Sequence, residues 1–495
     1  MDFRANRLAF LASAAATATA LASPALADTL REALVDAYQS NPTLQAARAQ
    51  QRANDENVPI QKSASLPSAS VTAQHIEFLK TSGNSFTAPT RTLQAGLDLG
   101  VPIYSGGSVK NSILAAKDRV NAGQADLRAT ESSIFSQVVA AYMNVIRNEA
   151  VVGLSANQVD VLSVNLQATE DRFEIGDLTR TDIAQSQSRL AIAQSDLRSA
   201  QANLIGARET YIQLVGSAPD SLQPPPPLPG LPATAAEAVD VALEYNPDLI
   251  AAKERAQASE RDIKVAGAGR LPTVSLFANS DYTNYYGTLG GPTSNNFSQS
   301  ETTANAGVSL RIPIFQGGRP AAVQRQATAR ASAAFEQVIA AERNVIAQVR
   351  ASYSSWQAAN AIIQSSRTAV AAAELGLEGV RAENSIGNRT ILDVLNAEQE
   401  LLSARVQLVT ARRNAYVAGF SLLAAMGRAE ARDLGLDDEG LLYDPMVNYD
   451  RVEGKFWDWE RDPDPVAIST RTIDIPAADA DIPMVNGAKA ESGNK

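Results

Sequence analysis

Two aspartates pose the first chemical question. Asp182 follows the turn-like run Gly176-Asp177-Leu178-Thr179, and Asp393 follows Gly387-Asn388-Arg389-Thr390. Each stands at the start of a long helical pattern. A constant offset of 211 relates Gly176 to Gly387, Thr179 to Thr390, Asp182 to Asp393 and Leu190 to Leu401. A carboxylate so placed can move protons, hold a cation or set a local field. Proton transfer needs a second acid or base converging on a cleft, and the other paired carboxylates here are helix-surface charges. The one histidine is His75 and cysteine is absent. That excludes thiolate or His-rich metal sites and nearly all His-based catalysis. No G-x-S-x-G, P-loop or H-E-x-x-H occurs. Gly106-Gly107 lacks the Lys-Ser/Thr of a phosphate loop, and Asp474, Asp479 and Asp481 lack EF-hand spacing. The chain does not read as an enzyme, and no cofactor or metal is expected. A field remains. If several copies of the chain surrounded a narrow opening, such an Asp would make a ring of like charge that favours cations. On a single helix the same Asp complements the N-terminal end of the dipole. Both readings stand, and they are compatible.

The elements that must position these residues are long. Ile183, Leu190, Leu197, Leu204 and Tyr211 recur every seven residues, each followed three later by Ser186, Ala193, Ala200, Ala207 or Leu214. Adding 211 gives Val394, Leu401, Leu408, Ala415 and Leu422, followed by Ala397, Ala404, Ala411, Ala418 and Ala425. A strict seven-residue seam with small residues at one position predicts closely packed, supercoiled helices. No proline occurs between Pro102 and Pro219, nor between Pro320 and Pro445. Each span therefore reads as two long helices joined at Gly176 or Gly387. An unbroken helix from 107 to 175 is about 100 Å long, far beyond the roughly 30 Å core of a membrane. Charges recur throughout, so these helices sit in water.

Upstream, Asn41-Pro42 and Leu66-Pro67 pair with Asn246-Pro247 and Leu271-Pro272 at an offset of 205. The whole chain is thus two related halves, with six extra residues in the second between its strand-like segments. After each Leu-Pro the period falls to two. Val274, Leu276 and Ala278 alternate with Ser275, Phe277 and Asn279; the partner segment near 68–78 is less regular. Leu93, Ala95, Leu97, Leu99 and Val101 alternate with Gln94, Gly96, Asp98 and Gly100. Ala304, Ala306, Val308, Leu310 and Ile312 alternate with Asn305, Gly307, Ser309 and Arg311. Strands of about ten residues with one apolar face fit a transmembrane β pattern or a soluble sheet on a core. Four strands close no barrel, and open edges are not tolerated in lipid. If these strands span a membrane, several chains share one barrel. The returning strands end in Val101-Pro102-Ile103-Tyr104-Ser105-Gly106-Gly107 and Ile312-Pro313-Ile314-Phe315-Gln316-Gly317-Gly318, where Pro and Gly let the chain leave a sheet for a helix.

Residues 1–27 read as a secretory signal: Arg4 and Arg7, an apolar run over 8–21, and Ala25-Leu26-Ala27 as a cleavage site. Further divisions are a first repeat at 28–222, a Pro-rich linker at 223–232, a second repeat at 233–430 and an acidic extension at 431–495, expected to be disordered beyond about Ser469. Lys and Arg total 43 against 54 Asp and Glu, which argues against nucleic acid as a partner.

The combination resembles the TolC family of outer-membrane efflux ducts. Ile386-Gly387-Asn388-Arg389-Thr390-Ile391-Leu392-Asp393-Val394-Leu395-Asn396-Ala397 follows that family's second-half tip, and the Asn-Pro and Pro-Ile-x-x-Gly-Gly signatures match. The resemblance covers 29–427. It implies a mixed fold of long antiparallel coiled-coil hairpins plus four transmembrane strands per chain. It further implies a homotrimer whose α-barrel continues a 12-stranded β-barrel in outer-membrane lipid, working with a periplasmic adaptor and an inner-membrane pump. In the family, charged residues near the second tip close the periplasmic end. By motif these are Arg389, Asp393 and Asn396, with Asn384 where a Tyr is common and Asn396 where an Asp is found. Thr181 and Asp182 carry over as first-tip partners. The adaptor-contacting tips are Gly176, Asp177, Leu178 and Thr179 with Gly387, Asn388, Arg389 and Thr390. The expected function is an exit duct for small molecules or proteins. The alternative is a soluble periplasmic coiled-coil scaffold without a channel.

Overall fold

A computed structural model describes residues 29–80, 88–437, 440 and 442–476. The signal segment, part of the first β tip and the last residues of the extension (477–495) lie outside the described residues. The first half contains α1 (Leu30–Ser40), α2 (Pro42–Asp55), α3 (Asn57–Ser63), β1 (Ser68–Glu77), β2 (Arg91–Ser105), α4 (Ser108–Glu174) and α5 (Arg180–Val215). The second contains α6 (Ala235–Tyr245), α7 (Pro247–Ala268), β3 (Thr273–Asn284), β4 (Ser300–Arg311), α8 (Arg319–Ser385) and α9 (Ile391–Ala425). The extension adds α10 (Pro445–Glu453). Between β3 and β4, where the second half has its six extra residues, lies a 3-10 segment, Gly291–Asn296.

The Asn-Pro pairs are helix boundaries with chemistry of their own. Pro occupies the first helical position, where its missing N–H costs nothing. The Asn41 side chain accepts from the N–H of Thr43 and Leu44 and donates to the Leu214 carbonyl at 2.9 Å. Asn246 accepts from the Leu249 N–H and donates to the Ala425 carbonyl, also at 2.9 Å. One side chain thus caps the start of α2 or α7 and the end of α5 or α9. α7 runs unbroken where its counterpart splits into α2 and α3. Pro59 supplies the reason: it lacks the N–H that would bond Asp55 and clashes with that carbonyl. Tyr142 and Tyr353, again 211 apart, donate to the carbonyls of Gln223 and Ala233 and so hold both ends of the Pro-rich linker.

α4 and α8 each have 67 residues, about 100 Å of helix. α4 packs along α5, α7 and α9, and α8 along α7 and α9. The main core gathers α1, α4, α5 and α9 around Phe135, Tyr142, Tyr211 and Phe420, and residues 429–436 close over it. Ion pairs Arg119–Asp262 and Arg261–Asp118, both 2.5 Å, with Arg255–Asp126, lace α4 to α7 and so join the two halves.

The sheet has the order β1-β2-β3-β4, antiparallel throughout. The register carries one face across all four strands: Val71 opposite Leu97, Val101 opposite Leu276, Leu276 opposite Val308. The other face carries Ser70, Asp98, Asn279 and Asn305 in one row. Phe277 lies on this polar face, its ring standing on Gly307, where a Cβ would approach to 3.0 Å. The irregular segment near 68–78 does form a full strand, β1. β2 does not stop at Val101. It stays paired with β3 to Ser105 by a bulge between Pro102 and Tyr104, whereas β4, an edge strand, ends at Arg311 before Pro313. β1 and β4 have no second neighbour among the described strands. Among the described residues no helix is long and apolar enough to cross a membrane.

In the extension, α10 lies along α2 and α3, with Asn448 bonding Asp55 at 2.7 Å and Glu453 bonding Lys117 at 2.8 Å. Residues 470–474, within the stretch expected to be disordered, end in a short 3-10 turn, with Thr470 beside Gly216.

Candidate functional site

The two hairpin tips are built alike. At the first, Gly176 has φ +84°, the N–H of Gly176 bonds the Phe173 carbonyl and the N–H of Asp177 bonds that of Arg172. At the second, Gly387 has φ +82°, with Gly387 bonding Asn384 and Asn388 bonding Glu383. This double closure requires a left-handed residue, and nothing lies within 4 Å of a Cβ at either Gly. The glycines are therefore there for backbone conformation, not for space. Ion pairs brace each turn: Arg172–Asp177 at 2.9 Å and Arg389–Glu383 at 2.7 Å. Asn384, where the family pattern has a Tyr, donates to the Arg389 carbonyl at 2.8 Å and folds the turn onto itself.

Asp182 and Asp393 each complete a capping box. The Thr179 N–H and hydroxyl donate to Asp182 Oδ2 at 2.8 and 2.7 Å, and the Asp182 N–H returns to the Thr179 hydroxyl. Thr390 does the same for Asp393 Oδ2 at 3.0 and 2.8 Å. The threonine hydroxyl, then its N–H, hold both carboxyls below the usual aspartate value. Glu383 holds the Arg389 guanidinium above its ordinary value. Asp393 Oδ1 has no partner among the described residues. Thr181, Asn388 and Arg389 are exposed, and Leu178 is half-buried.

The tips meet through few contacts. Arg189 on α5 donates to Asn396 Oδ1 on α9 at 2.8 Å. Beneath it Leu162, Ala193 and Leu395 pack together, joining α4, α5 and α9. Within the second hairpin, Arg381 pairs with the buried Glu398, and Arg405 with Glu374 at 2.8 Å. Farther from the tips Arg147 bonds Thr410 and Arg413 bonds Asn144. Thus the structure joins Asn396 to Arg189, Arg389 to Glu383, and Asp182 and Asp393 each to its own helix. Within one chain Asp182 and Asp393 are bonded each to its own threonine, and Thr181 is exposed in the first turn of α5. Sequence reasoning missed Arg189, Glu398 and the two threonine caps. The caps were findable, since Thr three residues before an acid at a helix start is the capping signature. Arg189 was not, because its partner lies 207 residues away.

A sheet apolar on one face and open at both edges, continued by helices several times the membrane thickness, is the plan of a channel subunit anchored in an outer membrane. The sequence pattern of the family described as Outer membrane efflux protein matches residues 33–217 and again 238–428. Outer membrane efflux protein BepC of Brucella suis biovar 1 (strain 1330) is 34% identical over 440 residues, 89% of this chain and 93% of BepC. Outer membrane protein TolC of Escherichia coli (strain K12) is 26% identical over 428 residues, 82% of this chain and 84% of TolC. Among solved structures, the outer membrane protein VceC from Vibrio cholerae shares the fold, with a TM-score of 0.68 at 22% identity over 80% of this chain and 96% of VceC. The chain belongs to the outer membrane efflux protein family. It is an outer-membrane export channel.

Proposed function

We propose that three copies assemble into one duct, gated at its periplasmic end by the hairpin tips. The observation that carries this reading is the four-stranded sheet itself. Its apolar face is largely exposed in one chain, as at Val71 (76%) and Val308 (66%), and neither edge has a partner among the described residues. Joining β4 of one copy to β1 of the next removes every edge and leaves the apolar face to lipid. Three copies give a 12-stranded barrel with the polar face inward, continued first by α2–α3, α4, α7 and α8 and then by the α4–α5 and α8–α9 hairpins as a periplasmic tunnel. Residues 28–222 and 233–430 are the repeat units, and 223–232 joins them. The duct is not an enzyme. It passes small molecules or proteins delivered by an inner-membrane pump, and a periplasmic adaptor engages Gly176–Thr179 and Gly387–Thr390. The gate comprises Asp393, Arg389, Asn396 and Asn384 with Thr181 and Asp182 of the first tip. Asp393, with one oxygen fixed by Thr390 and one unbonded, supplies the charged ring.

The test is single-channel recording of the purified full-length mature protein in a planar bilayer, with Asp393→Ala beside it. Discrete, long-lived, cation-preferring steps that lose selectivity or grow in Asp393→Ala support the gated duct. Steps indifferent to Asp393 move the gate elsewhere. No insertion, from a protein stable in plain buffer, leaves the soluble scaffold.

A further inference from the structure

We infer that the foot of the sheet carries a phospholipid site, on the side of the chain where the C-terminal extension presents an aromatic loop. The inference rests on reading the sheet as membrane-spanning. α10 runs parallel to α2 and α3: Asn448 sits beside Asp55, and Glu453 is held by Lys62 through its carbonyl at 3.1 Å and by Lys117 through its carboxylate at 2.8 Å. Its C-terminal end therefore points at the base of β1, which starts five residues beyond the end of α3. The chain then turns back sharply. The N–H of Glu460 bonds the Trp457 carbonyl, Arg451 grips Asp462 with both terminal nitrogens at 2.7 and 2.9 Å, and Lys455 bonds Glu460 at 2.7 Å. A loop held this firmly has no packing reason to expose rings. Yet Phe456, Trp457 and Trp459 are 76, 65 and 83% exposed. Glu460 and Asp462 are neutralised by Lys455 and Arg451, while Asp458 and Arg461 stand exposed beside the rings with opposite charges.

Beside it lies a groove of about 490 Å³ between the end of β2 and the first turns of α4. Ile103, Tyr104, Val109, Ile113 and Leu114 make most of its wall, and Lys110 and Lys117 stand in it. Tyr104 is in register with Val274, so it belongs to the apolar face of the sheet. Ile113 also packs with Tyr449 of α10 and Lys117 pairs with Glu453, so groove and loop lie on one side of the chain. The groove is thus continuous with the lipid-facing surface. Lys117 already has a carboxylate, whereas Lys110 is exposed and has no partner among the described residues. Apolar walls below a lipid-facing strand, with a free ammonium at the rim and tryptophans alongside, match one occupant. An inner-leaflet phospholipid places its acyl chain on Ile103 and Tyr104 and its phosphate at Lys110. Indole rings prefer that same interfacial depth.

The chain's own tryptophans report on this. It has three. Trp356 lies 37 residues along α8, about 55 Å from the sheet. The full-length mature protein is placed in nanodiscs of phosphatidylethanolamine and phosphatidylglycerol, with or without lipid brominated at the top of the acyl chain. Trp356→Phe, which keeps both loop tryptophans, is expected to lose most of its emission to the bromines. The Trp457→Phe/Trp459→Phe variant, which keeps Trp356, is expected to lose none. Lys110→Gln is expected to retain about tenfold less phosphatidylglycerol through detergent washing, the weight of one charge-assisted contact. Unquenched loop tryptophans in a protein that still conducts overturn the lipid site and leave the duct standing. If those rings are also hidden from acrylamide, a second copy covers them, and the site is overturned equally. A protein that neither conducts nor enters the discs sinks the duct reading, and the lipid site with it.

Discussion

Removing Arg189 isolates a polar contact that ties the two hairpins together near the tips. Its guanidinium reaches Asn396 Oδ1 at 2.8 Å across α5 and α9. Asn396 is exposed and Arg189 half-buried, so solvent competes for both. A charged donor on a neutral amide in that setting contributes about 0.5–1 kcal/mol. In a trimer the bond occurs three times. If the tips part together, Arg189→Ala shifts closed against open by roughly 1.5–3 kcal/mol, about ten- to a hundredfold in the ratio of the two states. Single-channel recording reads this as longer dwell in the higher-conductance state. Asn396→Ala should match it, and the double variant should add nothing further, because each single change already removes the whole bond. Arg405→Ala breaks a pair of similar exposure inside the second hairpin, Arg405–Glu374, and should leave dwell times as they were. An unchanged channel in Arg189→Ala, or an equal effect from Arg405→Ala, refutes the idea that cross-hairpin contacts set the gate.

Thr179→Ala and Thr390→Ala remove the caps of α5 and α9 and should each cost about 1 kcal/mol of local stability, read as faster hydrogen exchange at the Asp182 and Asp393 amides. Asp182 and Asp393 titrate below the usual 3.8, so the frayed form binds protons more readily than the capped one. The caps hold above that value and weaken as pH falls through the depressed one, and exchange at these amides should rise only there. Glu131 behaves in the opposite sense. Burial, with Glu430 nearby, pushes its carboxyl up to about 7 although it accepts the Ala431 N–H at 2.5 Å. The folded state then holds the extra proton between 4.5 and about 7, and its docking of residues 429–436 weakens as pH rises across that window. Glu131→Gln keeps the acceptor without the charge. It should protect those amides at pH 8 by up to roughly 3 kcal/mol and do little at pH 4; equal effects at both pH values would count against it.

The long helices and the strands were legible because their cause is local and periodic. The seven-residue seam runs through α5 and α9, and residues of both its rows are buried: Tyr211, Val394, Leu401 and Leu422 from one, Ser186, Ala193, Ala200, Ala404 and Ala411 from the other. Alternation in β2 and β4 fixed which residues share a face. β1 was legible as a strand but with a less regular pattern, since its row Ala69, Val71 and Ala73 is interrupted at His75; its pairing with β2 runs the full length. The bulge at Pro102 escaped. A proline reads as the end of a strand unless a neighbour, here β3, continues to pair beyond it. The site was legible only by motif. Asp182 and Asp393 were singled out by repetition, but what their carboxylates bond is settled by rotamer and turn. Asn41 and Asn246 looked like punctuation, and their second role, holding the carbonyls of Leu214 and Ala425, depends on where the chain returns some 170 to 180 residues later.

The division of labour at Asp393 reconciles the two readings of that residue. Its Oδ2 is taken by Thr390, which fixes the side-chain rotamer and lowers the carboxyl's proton affinity, so the group stays charged at neutral pH. Its Oδ1 is left unbonded among the described residues. A cap that orients a carboxylate without consuming it is what a charged ring needs, since a mobile side chain would spread the field. The same economy explains how tips can part without melting. Each turn is closed by bonds within its own hairpin: the glycine turn, the capping box, and Arg172–Asp177 or Arg389–Glu383. The ties between hairpins near the tips are Arg189–Asn396 and the small cluster of Leu162, Ala193 and Leu395. Strong local closure with weak cross-contacts makes each hairpin a rigid lever. Under the gating proposed above, this keeps the free-energy difference between closed and open small enough for a partner gripping the tips to reverse.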